Sequence, residues 1–370
     1  MKVGKLPADC MKVLIAAAGT GGHIYPGIAV AKEILRRDAD SKVLFVGTAR
    51  GLERKIIPEN GFQLSLINSA GLKNVGFLGK LKGLFVLPKS FLDARALIKN
   101  FEPDVVVGAG GYVSGSVLLM ASFMSVPTLV MDSNALPGFT NRRLAPFITK
   151  ASLTFEEAVK FFGKKGVVTG NPVRREFFDI EPKQRENNKF SVLIFGGSQG
   201  SRAINSALID ALKFLQPFKY QLQIVHQTGE ADLETVKKGY AENNFETADV
   251  RAYIRDMMSE FARSDLIISR AGATTCAELC AAGKAAIMIP LPAAADDHQR
   301  KNAEALCDKG AARMILQKDL SGETLAKQIV ELIEKPEAIT AMETAARKMA
   351  RRDAAEAATN LIESLAKGKS

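Results

Sequence analysis

The chain contains no tryptophan, only three histidines and only four cysteines in 370 residues. The cysteines, Cys10, Cys276, Cys280 and Cys307, form no C-x-x-C pair, which with so few histidines argues against a zinc site. Free thiols suit a reducing compartment better than a disulfide framework. A block of like charges is also missing, as is any aromatic-rich basic motif, so nucleic acid ranks last among anionic partners. No signal peptide is expected, because the only early apolar run, Val13 to Ala18, is short and leads into a glycine turn. One uncharged stretch, Val105 to Met131, has the length of a membrane span. It divides into Val-Val-Val, "GAGGYVSGS", "VLLMASFM" and, past Pro127, "TLVM", which reads as strand, turn, buried helix and strand.

What is present is ample core material, with 47% hydrophobic residues, and a net charge of +10 from 50 Lys plus Arg against 40 Asp plus Glu. The surplus points to a phosphate-bearing substrate or an acidic membrane surface. Short apolar strands at 12–18, 42–47, 103–111 and 127–132 alternate with helical patterns, the first helix being read from Gly27 to Arg37. The pattern restarts at "FSVLIFGGSQGSRAINSALIDAL" (190–212), with further strands at 220–229, 265–269 and 284–292. Near-continuous apolar strands between helices mean a parallel sheet covered on both faces. The expected fold class is α/β, two Rossmann-like domains whose parallel sheets face an interdomain cleft. The expected boundaries are 1–174, 175–345 and a helical tail, 346–370, that packs back on the first domain.

The glycine turns carry the chemistry. "GTGGHI" (19–24) has Ile24 where a dinucleotide fingerprint needs glycine, and Gly47-Thr48 offers no acid for an adenosine ribose. A Walker A lysine is missing too. What remains is a turn whose N–H groups can face an anion. His23 within it is either a solvated loop residue or a general base near pH 7. "GGSQG" (196–200) is a literal G-x-S-x-G, so a hydrolase with Ser198, Asp265 and His298 stands as the competing reading. In "SRAGATTCAEL" (269–279), Thr274 and Thr275 are expected to cap a helix whose start suits a diphosphate. Glu278, one turn in, either accepts from a ribose or serves only helix-start electrostatics. Cys276 and Cys280 read as buried thiols. Asp296, Gln299 and Asn302 fall on one helix face, fit for sugar hydroxyls or for an ordinary polar helix start. The segment 71–91 mixes Val75, Phe77, Leu78, Leu81 and Phe85 with Lys80, Lys82 and Lys89 and has no acid. It is either a buried helix with a basic outer face or a patch that dips into an anionic lipid surface.

Taken together, "GTGGHIYPGIAVA", "GGYVSG", "GFTNRRLA", "GNPVR", "GGSQGS", "SRAGATTCAEL" and "DHQRKNA" occur in the order found in the MurG family, from residue 12 to at least 310. The chain resembles that family of N-acetylglucosaminyltransferases. The resemblance implies a GT-B fold and inverting transfer of GlcNAc from UDP-GlcNAc to the C4 hydroxyl of MurNAc in lipid I, giving lipid II for peptidoglycan. It implies no metal and no cofactor, and work at the cytoplasmic face of the bacterial membrane. By motif position the donor contacts are Thr20, Gly21, Gly22, Asn134, Arg174, Ser198, Ile254, Ala273, Thr274, Thr275, Cys276, Ala277, Glu278 and Gln299. Ile254 would hold uracil through its backbone, and Glu278 the ribose. One departure stands out: the family's His-Glu-Gln-Asn is here Met131-Asp132-Ser133-Asn134. That leaves His23 as the candidate base and the role of Asp132 open. Another GT-B transferase with a lipid acceptor is the remaining alternative.

Overall fold

Lys12–Ala17 (β1) buries both its faces: Val13, Ile15 and Ala17 join one apolar cluster, and Leu14 and Ala16 join another. A strand apolar on both faces belongs in the interior of a covered parallel sheet, and that is where β1 lies. The computed structural model describes residues 10–19, 21–49, 51–67, 77–185, 189–292, 294 and 297–368, for 77–87 and 112 the backbone only. The chain divides into two units, Met1–Val173 with Asp353–Ser370, and Arg174–Arg352.

The first unit adds β2 (Lys42–Gly47), β3 (Gln63–Leu66), β4 (Val105–Gly110), β5 (Thr128–Asp132), β6 (Lys150–Leu153) and β7 (Gly166–Val168). All neighbours are parallel, in the order β3-β2-β1-β4-β5-β6-β7. Its helices are α1 (Gly21–Arg37), α2 (Glu53–Glu59), α3 (Phe77–Phe101), α4 (Tyr112–Phe123) and α5 (Phe139–Leu144). The uncharged stretch 105–131 is therefore β4, α4 and the start of β5. No helix among the described residues is long and apolar enough to cross a membrane.

The second unit holds β8 (Phe190–Phe195), β9 (Leu222–Gln227), β10 (Asp249–Arg251), β11 (Leu266–Ser269), β12 (Ala285–Met288) and β13 (Arg313–Met314), ordered β10-β9-β8-β11-β12-β13. This sheet too is parallel throughout. Around it run α6 (Arg202–Leu215), α7 (Leu233–Glu242), α8 (Met257–Arg263), α9 (Ala273–Ala282), α10 (His298–Asp308), α11 (Gly322–Glu334) and α12 (Pro336–Met349). The last helix, α13 (Ala354–Lys367), returns to the first unit, where Ala358, Ile362 and Leu365 join the cluster of Val13, Ile15 and Ile24. Buried Glu33 on α1 clasps it indirectly: it binds Arg36 and Arg37, and Arg37 reaches Asn360 and Glu363. The Arg36 guanidinium first, and Arg37 with it, hold the Glu33 carboxyl down at about 2 against the effect of burial.

Two local readings of the sequence need correction. α1 begins at Gly21, not Gly27, so Pro26 lies inside the helix and His23 on its first turn. The short strands β3, β6, β7, β10 and β13 had no signal of their own; they exist through pairing with longer neighbours.

Candidate functional site

In the first unit the site is built at the carboxyl end of β1. His23 Nδ1 lies 3.2 Å from the Ala18 carbonyl oxygen. A carbonyl only accepts, so Nδ1 carries the proton and Nε2 is the basic nitrogen of the neutral ring. The "GG" of "GGYVSG" explains this close fit. A Cβ on Gly110 would collide with the His23 ring, and one on Gly111 with the Ala18 oxygen. Buried Ser114 fastens the two strand ends together, donating to Ala16 O or Gly110 O, each at 2.8 Å, and accepting from Gly110 N at 3.1 Å. Gly21 and Gly22 form the first turn of α1 beside His23. Thr20 lies outside the described residues.

Asp132, at the end of β5, is buried and accepts from Asn134 N at 3.0 Å, Gly138 N at 3.1 Å and Asn141 Nδ2 at 2.8 Å. Burial raises its carboxyl above the ordinary value, and these donors pull it back. Its work is to shape the loop from Ser133 to α5, which carries Asn134. Every one of these partners is local, so the aspartate in place of the family's longer acid acts on the loop itself.

In the second unit, the "GGSQGS" turn joins β8 to α6. Ser198 is exposed on it, and Ser201 caps α6 through Ile204 N. Gln227, at the end of β9, donates to Gly197 O at 2.8 Å and accepts from Ile254 N at 2.7 Å. It thus ties the turn to the Ile254 loop, and with the Ile254 N–H so engaged, a base docking there would meet the Ile254 carbonyl. Arg270, after β11, binds Ser201 Oγ and Gln317 Oε1, each at 2.7 Å, and Ile289 O at 3.0 Å. Burial lowers its pKa. No acidic partner for Arg270 occurs among the described residues. A half-buried cation satisfied only by neutral acceptors, beside a glycine turn, favours an anionic ligand.

α9 starts at this same sheet end. Gly272 occupies its N-cap without any side-chain cap, so Thr274 and Thr275 do not cap the helix as the sequence suggested; they sit within its first turn. The first turn of α9 therefore presents the backbone of Thr274 and Thr275 at a helix start, a place that suits an anion. Thr274 Oγ1 is buried with no hydrogen-bond partner among the described residues. Glu278 meets Arg174, Nη2 to Oε1 at 3.4 Å, and Arg174 also stacks over Phe177. Burial pushes the Glu278 carboxyl up, with Arg174 opposing. Cys276 and Cys280 are buried, and burial drives the first thiol well up and the second to about 12, so neither is a thiolate near neutrality. Cys276 and Ala273 can offer a ligand little beyond backbone, while Ala277 is partly exposed. On the first turn of α10, Gln299 Oε1 accepts from Leu291 N at 3.0 Å. Asn302, read as a partner of Gln299, is instead fully buried and donates to Ala271 O at 3.2 Å. Asp296 lies outside the described residues.

The hydrolase reading fails on geometry. Ser198 follows the carboxyl end of β8, whereas Asp265 precedes β11 and bonds Ser191 N and Lys183 at the amino end of the sheet. A six-residue strand puts ~20 Å between those ends. The chain's one D-x-D, Asp38-Ala39-Asp40, is also no metal motif: Asp38 closes the turn between α1 and β2 by accepting from Ser41 and Asp40. Glu53, Gln227 and Arg270 carry no local signal of their roles, because the contacts that define them reach far along the chain: Gly19 for Glu53, Gly197 and Ile254 for Gln227, Ser201 and Gln317 for Arg270. For the membrane patch, Val75 lies outside the described residues, and the side chains of Phe77, Leu78, Lys80, Leu81, Lys82 and Phe85 are not described. Lys89 is exposed on α3.

Two parallel-sheet units, each with a glycine turn feeding a helix start from an interior strand, form the GT-B architecture of glycosyltransferases. The N-terminal domain model of glycosyltransferase family 28 matches residues 13–153, and the C-terminal domain model matches 191–358. The chain belongs to glycosyltransferase family 28. It is 48% identical over 348 residues to a Myxococcus xanthus protein, UDP-N-acetylglucosamine--N-acetylmuramyl-(pentapeptide) pyrophosphoryl-undecaprenol N-acetylglucosamine transferase, covering 94% of this chain and 91% of that one. A Syntrophus aciditrophicus protein of the same name is 46% identical, over 91% of this chain and 93% of its own. The crystal structure of Acinetobacter baumannii MurG matches at a TM-score of 0.79 with 31% identity, covering 96% of this chain and 99% of that one.

Proposed function

We propose that the protein transfers N-acetylglucosamine from UDP-GlcNAc to the C4 hydroxyl of MurNAc in undecaprenyl-pyrophosphoryl-MurNAc-pentapeptide, with inversion at the donor carbon. The observation that carries this reading is the relatives named for that reaction, similar over 94% of the chain. The site supports it. His23 Nε2 takes the proton as the acceptor oxygen bonds to C1 of the donor sugar. The C1–phosphate oxygen bond breaks, and its electron pair leaves with UDP. The "GGSQGS" turn, the uncapped start of α9, and the Arg270 and Arg174 cations supply donors and positive charge for the leaving diphosphate. By their places in the motifs, Glu278 is assigned the ribose, and Gln299, Asn134, Thr20, Gly21 and Gly22 are assigned the sugar. Association with an anionic membrane surface at the cytoplasmic face, through the patch 75–89, completes the reading.

The test is UDP release with and without a lipid-linked muramoyl acceptor, each with excess EDTA. Acceptor-dependent release that survives chelation supports the proposal. Release that ignores the acceptor, or that needs added Mg²⁺, counts against it.

A further inference from the structure

Glu53 is the first residue of α2 and has no exposed surface. One carboxylate oxygen, Oε1, accepts from Thr48 N at 2.9 Å and Thr48 Oγ1 at 2.7 Å. The other, Oε2, accepts from Gly19 N at 3.0 Å. No basic side chain pairs with it among the described residues. Burial raises its pKa, but the donors from Gly19 and Thr48 outweigh burial and hold the carboxyl below its ordinary value. It is therefore an anion whose charge is met by neutral donors.

The Gly19 N–H and the Ala18 carbonyl belong to one peptide group. Its nitrogen side gives a hydrogen bond to Glu53, and its oxygen side receives the one from His23 Nδ1. We infer that Glu53 is a positioning residue for His23: through the Ala18–Gly19 peptide it orients the imidazole, fixes the Nδ1–H tautomer and raises the basicity of Nε2.

The physics is that of a polarised chain of hydrogen bonds. An anion at the amide N–H draws positive charge toward itself and leaves the carbonyl oxygen more negative. That oxygen then holds Nδ1–H more tightly and favours the imidazolium. The start of α1 pushes the other way, because a helix N-terminus disfavours a cation. Two close approaches keep the chain short. A side chain at Gly51 would collide with the Glu53 carboxylate, and one at Gly111 with the Ala18 oxygen.

The elements packed against α1 are β1, β4, α2 and α13. Their other charged groups face elsewhere. Lys12 starts β1 at the far end, bonding Asp104 through its own N–H and pairing with Glu102. Arg54 donates to Ala49 O, and Lys32 to Asn60. Glu33, Arg36 and Arg37 sit with Glu363 three turns on from His23. Lys55, Glu59, Glu356 and Lys367 complete the set, and β4 carries none.

This inference rests on the reading of His23 as the base, yet it is tested without turnover. The chain has three histidines, and His226 stays neutral down to about 3. In protein labelled with ¹⁵N-histidine, at most two rings therefore titrate near neutrality, and His23→Asn identifies which is His23. Glu53→Gln should lower the His23 midpoint by about half a pH unit or more. The acid limb of the kcat/KM profile should move down with it. An unchanged midpoint in the folded variant overturns the relay. If methyl signals from the first unit's own core, such as Ile15 and Ile24, do not report a folded Glu53→Gln protein, Glu53→Asp keeps the charge but withdraws it by one methylene. A smaller fall is expected there, and no fall again overturns the proposal. A midpoint that shifts while His23→Ala retains kcat supports the relay and refutes the base assignment.

Discussion

Arg174 and Glu278 face each other at 3.4 Å across the start of α9, one from the segment before the second sheet and one from the first turns of the helix. On the proposed function, Glu278 exchanges part of this contact for a ligand hydroxyl when the donor binds. Glu278→Ala should weaken UDP binding by ~10-fold or more, the worth of charge-assisted hydrogen bonds. Because burial raises the Glu278 carboxyl, UDP affinity should begin to fall with acid earlier than for an ordinary glutamate. Calorimetry that finds the same UDP affinity in the variant would refute the ribose contact.

His23→Ala should lower kcat by about 10²–10⁴-fold, the usual contribution of a general base, with little change in donor Kd. Steady-state rates and UDP calorimetry on one preparation separate the two. Near-wild-type kcat removes His23 from the chemistry.

His226 makes a stability prediction. It is fully buried, Nε2 to Asn205 Oδ1 at 3.1 Å and Nδ1 to Tyr240 Oη at 3.2 Å, and burial depresses its pKa to about 3. The unfolded chain takes up a proton near 6.5 while the folded chain does not. This contribution is thus complete above about 6.5 and is lost as pH falls from there toward 3, by at most ~1.4 kcal/mol per pH unit. Urea unfolding between pH 7 and 4.5 should show a steeper acid loss in the wild type than in His226→Gln. Equal slopes would mean that His226 does not set the acid sensitivity.

The membrane reading predicts that Lys80, Lys82 and Lys89 changed together to Glu abolish sedimentation with phosphatidylglycerol vesicles. Turnover of a short-chain soluble acceptor should persist. Each lysine near an anionic surface is worth ~1 kcal/mol, so the wild-type binding should also fade with salt. A triple variant that binds vesicles normally places the anchor elsewhere.

The sheets were legible because their interior strands are continuous apolar runs ending in glycine, as at Val13–Gly19 and Val192–Gly197. β13 was not, since two residues, Arg313 and Met314, carry no period and pair only because β12 is there. The same division holds at the site. His23, Ser198 and Glu278 sit in motifs whose local chemistry is visible. Glu53 looks like any helix-start acid until folding brings it to Gly19, 34 residues away in sequence. The signal that could have found it is the glycine spacing around it, Gly47 and Gly51, which has no purpose unless a side chain must pass close by. Asn302 was misread because a helix face tells which residues lie together, not whether that face meets solvent or the Ala271 carbonyl.

The return of α13 sets an order on biosynthesis. The second unit is one uninterrupted stretch, Arg174–Arg352, and can close its core as soon as it clears the ribosome. The first unit, although made first, must wait for Ala358, Ile362 and Leu365 to cover the side chains of β1 and α1. Until then the nascent chain carries an open apolar seam, a natural landing place for a chaperone. A premature stop anywhere before residue 354 would leave that seam open for good, so a lesion at one end of the message would be felt at the other end of the protein.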